Sequence, residues 1–255
     1  MNKMKSREMS RKLISFIKKT VASKGFSRVI LGLSGGLDSS IVAFLSVKAL
    51  GKDNVIGVLM PYGRFSKKSV ADAKKIARIL KISTTEHVDI SPMVNAYFKK
   101  EKSTCHIRRG NKMARERMSI LYDLSKKHNA LVIGTSNKTE ALLGYGTLHG
   151  DCAWALNPIG NLYKTQLRSL AKDIGIPSFV INKPPTAGLW DGQTDEDELG
   201  YTYDDIDKLL FLIIDKRLDN KELVKKGFDK EFISDIRIRI KNNKFKLQPP
   251  MVAKI

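Results

Sequence analysis

RVILGLSGGLDSSIVAFLSVKALG, residues 28–51, decides the fold. Val29, Ile30, Leu31 and Leu33 form a near-continuous apolar run of the kind that makes a strand buried on both faces. Ser34-Gly35-Gly36-Leu37-Asp38-Ser39-Ser40 follows as a loop. Gly35 and Gly36 can take positive φ and leave room for a ligand against the backbone. Asp38, Ser39 and Ser40 suit the first turn of the helix that runs on to Gly51, where free N–H groups carry partial positive charge. A strand–glycine loop–helix junction of this kind is an anion site, most often for phosphate.

The loop is not a Walker A motif, because no Gly-Lys precedes a Ser or Thr in it. The spacing of Gly32, Gly35 and Gly36 also rules out the GxGxxG dinucleotide fingerprint. It does match SGGxDS, and so resembles the ATP pyrophosphatases, which split ATP between its α- and β-phosphates. Backbone donors and hydroxyls there suit a pyrophosphate group, and Asp38 suits a magnesium ion that bridges phosphates.

Outward from the loop, strands are predicted over 54–61, 84–90 and 130–134, with a candidate fifth over 176–181. Between them the 3.6-residue period predicts helices over 67–80, 91–99, 113–127 and 163–174, after an amphipathic helix over 5–24. This alternation predicts an α/β fold with a parallel, doubly wound sheet. A core of about 25–185 is expected to continue into an acidic loop, C-terminal helices and a basic tail over 186–255, all as one domain. Residues 101–112 read as a basic loop and 144–157 as an active-site or interface loop.

Ligands on such sheets sit at the C-terminal ends of the strands. The tip 135–140 after the fourth strand lies there if the first and fourth strands are parallel neighbours. Glu140 then faces Asp38, and the two supply hard oxygen ligands for a divalent cation. Alone, Glu140 reads as an exposed first-turn acid. Lys164 occupies a first turn, where acids are favoured, so it is either an answer to a bound anion or a solvated surface lysine.

Bulk composition narrows the class less than the motifs do. With 46 Lys+Arg against 26 Asp+Glu the formal charge is +20, which suits polyanionic partners and equally a lysine-rich solvated surface. Against that background residues 191–207 hold eight acids and no Lys or Arg, a run that could pack on a basic surface, close as a lid or cap the following helix, with Asp204 and Asp205 before Ile206 as its capping residues. Cys105 and Cys152 make neither a disulfide framework nor a metal spacing, and no apolar run is long enough to span a bilayer. The expectation is a reduced, cytoplasmic protein with no membrane contact.

Further motifs join the glycine loop: RGNKMARERM, GTSNKTE, GYGTLHGD, NPIGNLYKTQLR, KPPTAGLWDGQTDEDELGYTYDDID and NNKFKLQPP. In this order and spacing the chain resembles the NAD synthetases, in their short ammonia-dependent form, from Val29 to Pro250. The resemblance implies an adenine nucleotide alpha hydrolase-like fold with a parallel five-stranded sheet flanked by helices. It implies a homodimer with the dinucleotide near the subunit interface. Gly32, Leu33, Ser34, Gly35, Gly36, Leu37, Asp38 and Ser39 are implied to bind ATP phosphates, with Thr135, Lys164 and Thr186 as further ATP contacts. Magnesium is implied on Asp38 and Glu140. Arg115, Phe245 and Lys246 are implied for deamido-NAD. Phe245 stands where other members carry the His of a His-Lys pair, and Leu148 and Ala155 stand where some bacterial members place Lys and Asp.

The reaction so implied is acyl activation followed by amidation. The nicotinate carboxylate of deamido-NAD attacks the α-phosphate of ATP, pyrophosphate leaves, and ammonia displaces AMP to give NAD. Lys164 is the candidate for neutralising charge at the phosphates. Asp151 is a candidate base for ammonium, with a loop-structuring aspartate as the alternative. The predicted first strand starts near Arg28, which leaves no room before it for a glutaminase domain, so free ammonia is the expected nitrogen donor. A tRNA-modifying pyrophosphatase would use the same loop. It is disfavoured by the lack of an aromatic-rich basic surface and by the contexts of Cys105 and Cys152, so no nucleic-acid partner is expected.

Overall fold

The computed structural model describes residues 3–63, 66–101, 105–190, 192–249 and 252–253. Residues 102–104 of the expected basic loop, Asp191 of the acidic run and Pro250 of the tail lie outside the described residues. Four parallel strands form one sheet in the order β3-β2-β1-β4: β1 (Arg28–Gly32), β2 (Val55–Leu59), β3 (Thr84–His87) and β4 (Ala130–Val132). β1 lies inside the sheet, with Ile30 opposite Ile56 on one side and Val132 on the other.

The apolar run of β1 follows from this position, since both of its faces are covered. Val29 and Leu31 pack with α1 (Lys3–Ser23), α2 (Leu37–Leu50) and α3 (Lys67–Ile79). Ile30 points the other way, into a core with Val94 and Phe98 of α4 (Ser91–Phe98) and Met113 and Leu124 of α5 (His106–His128). β3 is an edge strand with alternating half-buried and exposed residues, TTEH, and its Glu86 pairs with Lys127 and His128. Among the described residues no helix is long and apolar enough to cross a membrane.

After β4 come α6 (Lys138–Leu143), α7 (Lys164–Ile174), α8 (Ser178–Ile181), α9 (Asp195–Leu199) and α10 (Tyr203–Leu210). A π-helical turn over Phe211–Asp215, α11 (Asn220–Lys225), α12 (Lys230–Asn243) and a 3-10 turn over Lys244–Leu247 follow. α6 and α10 to α12 share a second hydrophobic core around Leu143, Tyr203, Leu209 and Ile236.

Three expectations need correction. The sheet has four strands rather than five, because 176–181 is not a strand. Gly175 ends α7 with φ +84, Pro177 has no N–H to give a ladder, and Ser178–Ile181 turns as a helix that buries Val180. Among the described residues, beyond β4 lies only a single parallel bridge, Ile133 to Leu156, flanked by Ala155 N–H to the Val132 carbonyl (2.9 Å) and Gly134 N–H to the Leu156 carbonyl (2.7 Å). The basic loop ends early, because α5 already starts at His106. Cys105 caps it by accepting from the Arg108 N–H (3.4 Å), and Gly110 sits inside the helix where Leu189 packs. Finally, the helices in the acidic region are capped by Thr194 and Thr202 rather than by Asp204 and Asp205.

The glycine loop itself is fixed by α3. Gly35 has φ +71, and a Cβ there would stand 2.6 Å from the Ser69 carbonyl oxygen and 2.8 Å from the Ala73 nitrogen. Both are helix backbone and have no room to retreat. Gly35→Ala is therefore expected to destabilise the protein by about 2–5 kcal/mol, from left-handed strain plus overpacking. Denaturant unfolding of the two proteins checks this; equal midpoints would show that the loop is not seated on α3 as described.

Candidate active site

A cavity of ≈ 790 Å³ opens at the C-terminal ends of β1, β2 and β4, a size suited to nucleotide-scale ligands. Every residue from Gly32 to Ser39 lines it except Gly35, which is turned onto α3. The loop is braced from within. Ser39 Oγ accepts from the Ser34 N–H (3.3 Å) and lies 2.9 Å from Ser34 Oγ, and Ser40 Oγ donates to the Gly36 carbonyl (2.7 Å). Gly36 begins α2 without a side-chain cap, so the first N–H groups of α2 face the cavity as anion donors.

At the same mouth three charges meet. Lys164 Nζ donates to Asp38 Oδ2 (2.7 Å) and to Glu140 Oε1 (3.1 Å), and all three side chains are at most 17 % exposed. Asn137 organises both acids. Its Nδ2 donates to Asp38 Oδ2 (3.1 Å), its Oδ1 accepts from the Glu140 N–H (2.9 Å), and its own N–H donates to Glu140 Oε2 (3.3 Å). This capping box starts α6 and aims Glu140 at the glycine loop. Asp38 Oδ1, by contrast, is buried and has no hydrogen-bond partner among the described residues.

The electrostatic oddity of Lys164 in a first turn is resolved by Asp207 of α10. Its Oδ2 accepts from the Thr165 N–H (2.7 Å) and its Oδ1 from Thr139 Oγ1 (2.5 Å), so α7 receives its N-terminal acid from another element. Burial works against the Lys164 ammonium, but Asp38 and Glu140 more than offset it and hold its pKa above the ordinary lysine value. Burial drives the Glu140 carboxyl up to about 8 against the pull of Lys164. Asp195 is also raised by burial; it lines the cavity and accepts hydroxyls from Tyr145 (3.1 Å) and Tyr203 (3.0 Å).

Thr135, Thr186, Asp151 and Lys246 reach the same cavity. Lys246 Nζ donates to the carbonyls of Gly144 (2.8 Å) and Gly146 (3.1 Å). Asp151 Oδ1 accepts from the Thr147 N–H (2.7 Å), the loop-structuring contact, and its burial raises its pKa. Arg115 and Phe245 lie outside the cavity lining: Arg115 is exposed with Nε on the Leu148 carbonyl (3.3 Å), and the Phe245 ring is 57 % exposed. Sequence reasoning left Asn137, Asp195 and Asp207 without roles. Asn137 was findable from its Asn-x-x-Glu spacing; the other two depend on long-range packing.

A profile of the NAD synthase family matches residues 9–250 of the chain. The chain is 49 % identical over 245 residues to the NH(3)-dependent NAD(+) synthetase of Trichlorobacter lovleyi, covering 96 % of this chain and 89 % of that one. Its fold is similar to that of the NH3-dependent NAD synthetase from Campylobacter jejuni (TM-score 0.83, 35 % identity, all of both chains). It is equally similar to the NMN synthetase from Francisella tularensis (TM-score 0.84, 31 % identity, 98 % and 99 % of the two chains).

Removing the central cation should strand two buried carboxylates. Lys164→Met is expected to cost about 3–5 kcal/mol of stability. Adding Asp38→Asn, or lowering the pH so that the acids protonate, is expected to restore part of it. Unfolding curves of the single and double variants check this, and additive losses would contradict the coupling.

Proposed function

Because the chain belongs to the NAD synthase family and is a C–N bond-forming ligase that makes NAD, we propose that its cavity adenylates deamido-NAD with ATP and then amidates it with ammonia. The observation that carries this reading is the convergence of Asp38, Glu140 and Lys164 at the mouth of the glycine loop. We further assign it to the cytoplasm as a single-domain homodimer, the state that the sequence resemblance implies.

The residues fit a magnesium ion. Asp38 Oδ1 is buried and unpartnered, and Glu140 presents a carboxylate beside the same lysine. Among the described residues no group of three or more His, Cys, Asp or Glu could hold a metal, so phosphate oxygens and water must complete an oxygen shell around two protein ligands. Bound there, magnesium supplies Lewis-acid neutralisation of the triphosphate.

The chain's own groups do the rest. The α2 N-terminal N–H groups and Ser34 and Ser39 hold the pyrophosphate portion of ATP. Lys164 stabilises charge that builds at the α-phosphate as the nicotinate carboxylate forms its O–P bond and pyrophosphate leaves. Thr135 and Thr186, which line the same cavity, orient the nucleotide, and Lys246 and Arg115 serve the dinucleotide. In the second step nitrogen attacks the activated carbonyl and AMP departs. Asp151, its basicity raised by burial, receives the proton of ammonium.

Incubating the protein with ATP, magnesium, ammonium and deamido-NAD should yield NAD, AMP and pyrophosphate, with glutamine inert as donor. The mononucleotide analogue, run in parallel, should be the poorer substrate. Asp38→Ala should abolish pyrophosphate release; ADP and orthophosphate as products would sink the reading. A pH effect also follows. Burial raises the Glu140 carboxyl to about 8 and cation binding favours its charged form, so magnesium–ATP binding should release more proton as the pH falls below that value and none above it. Calorimetry in buffers of different ionisation enthalpy measures that proton, which should vanish in Glu140→Gln.

A further inference from the structure

The cations lining the cavity differ in one respect. Lys164 is matched by Asp38 and Glu140, Lys183 by Asp72 (3.0 Å), and Arg239 by Asp235 (3.3 Å). Lys246 is held by two carbonyls, and Arg168 lies 3.8 Å from Asp204 and 4.0 Å from Glu196. Arg117 has a single hydrogen bond among the described residues, from Nε to the Met60 carbonyl (3.1 Å), and no ion pair. Its two terminal nitrogens therefore meet no protein acceptor.

Arg117 lies two positions along α5 from Arg115, about 200° round the helix, which separates a cavity-lining arginine from an exposed one. Its anchor, Met60, lies beside Gly32: a Cβ on Gly32 would stand 3.2 Å from Met60 Cε. The tether through Nε leaves the terminal nitrogens of this cavity-lining side chain as its remaining donors. Burial lowers the guanidinium to about 10 although the Asp151 carboxylate, which forms no ion pair with it, pulls the other way. A fork of this shape matches two oxygens of a carboxylate or phosphate.

We propose that Arg117 is a substrate-binding residue whose terminal nitrogens take two oxygens of a reacting oxyanion. This rests on the adenylation reading, which offers two such groups: the α-phosphate of ATP and the nicotinate carboxylate. Either would complete the hydrogen bonding of Arg117 and fix one reactant beside the other.

The test compares wild type with Arg117→Lys, which keeps the charge and loses the fork, and Arg117→Met, which keeps only the stem. KM is measured for ATP and for deamido-NAD separately, with calorimetric Kd for each ligand and the unfolding temperature. A rise of roughly tenfold or more in KM and Kd for one ligand, in both variants and with unfolding unchanged, is the expected result. A rise for ATP identifies the α-phosphate as the group held, and a rise for deamido-NAD identifies the carboxylate. Both KM and Kd within twofold of wild type would overturn the proposal. So would losses that track a lowered unfolding temperature and spread equally over both ligands. The Kd arm decides the matter even if the wild type forms no NAD, an outcome that faults only the functional reading. Arg117→Lys preserves the buried charge and remains informative if Arg117→Met does not fold.

Discussion

One ammonium group holds the active end of this molecule together. Lys164 Nζ lies between carboxylates contributed by the glycine loop of β1 and by α6, and its own helix starts on an acid from α10. Without a cation there, two buried acids would face each other across the cavity mouth, an arrangement that electrostatics in a low-dielectric site does not tolerate. The positions of α6 and α7 thus follow from charge as much as from packing. Asn137 reinforces them by bonding both acids at once, one through its side chain and one through the turn that it caps.

Much of this was legible in the chain. The apolar run and paired glycines at 28–36 specify a buried strand and an anion loop wherever they occur, and Gly35 seated on α3 shows why glycine is needed there. Asp38, Glu140 and Lys164 were each readable as candidates, because each has a reason to be at a helix start near a phosphate. The fifth strand was not legible. IPSFVI is a short apolar run, equally suited to a buried strand or a buried helical turn, and only the packing of Val180 decides between them. On the other edge of β4, Leu156 pairs with Ile133 through one bridge, too little to leave a period-two pattern.

Site residues escaped notice for a related reason. Asp207 acts on α7 from far along the chain, and the acidic run around it reads equally as a helix cap, a contact with a basic surface or a lid until α10 is placed. Arg115 and Arg117 look equivalent in RGNKMARERM. Their difference is the rotational phase of α5, set by Met113 and Leu124 entering the core beneath the sheet. Gly110 similarly resembles a helix breaker, although its bareness serves the close approach of Leu189.

The cavity floor straddles two separate hydrophobic cores. Asp38 stands in the first turn of α2, whose Ile41 and Leu45 belong to the sheet's core, whereas Glu140 rides on α6, whose Leu143 is buried with α10 and α12. A ligand gripping both acids is therefore a bolt across a seam. Its occupancy would slow the independent breathing of the C-terminal helices, so protection from amide exchange would spread well beyond the residues that touch it.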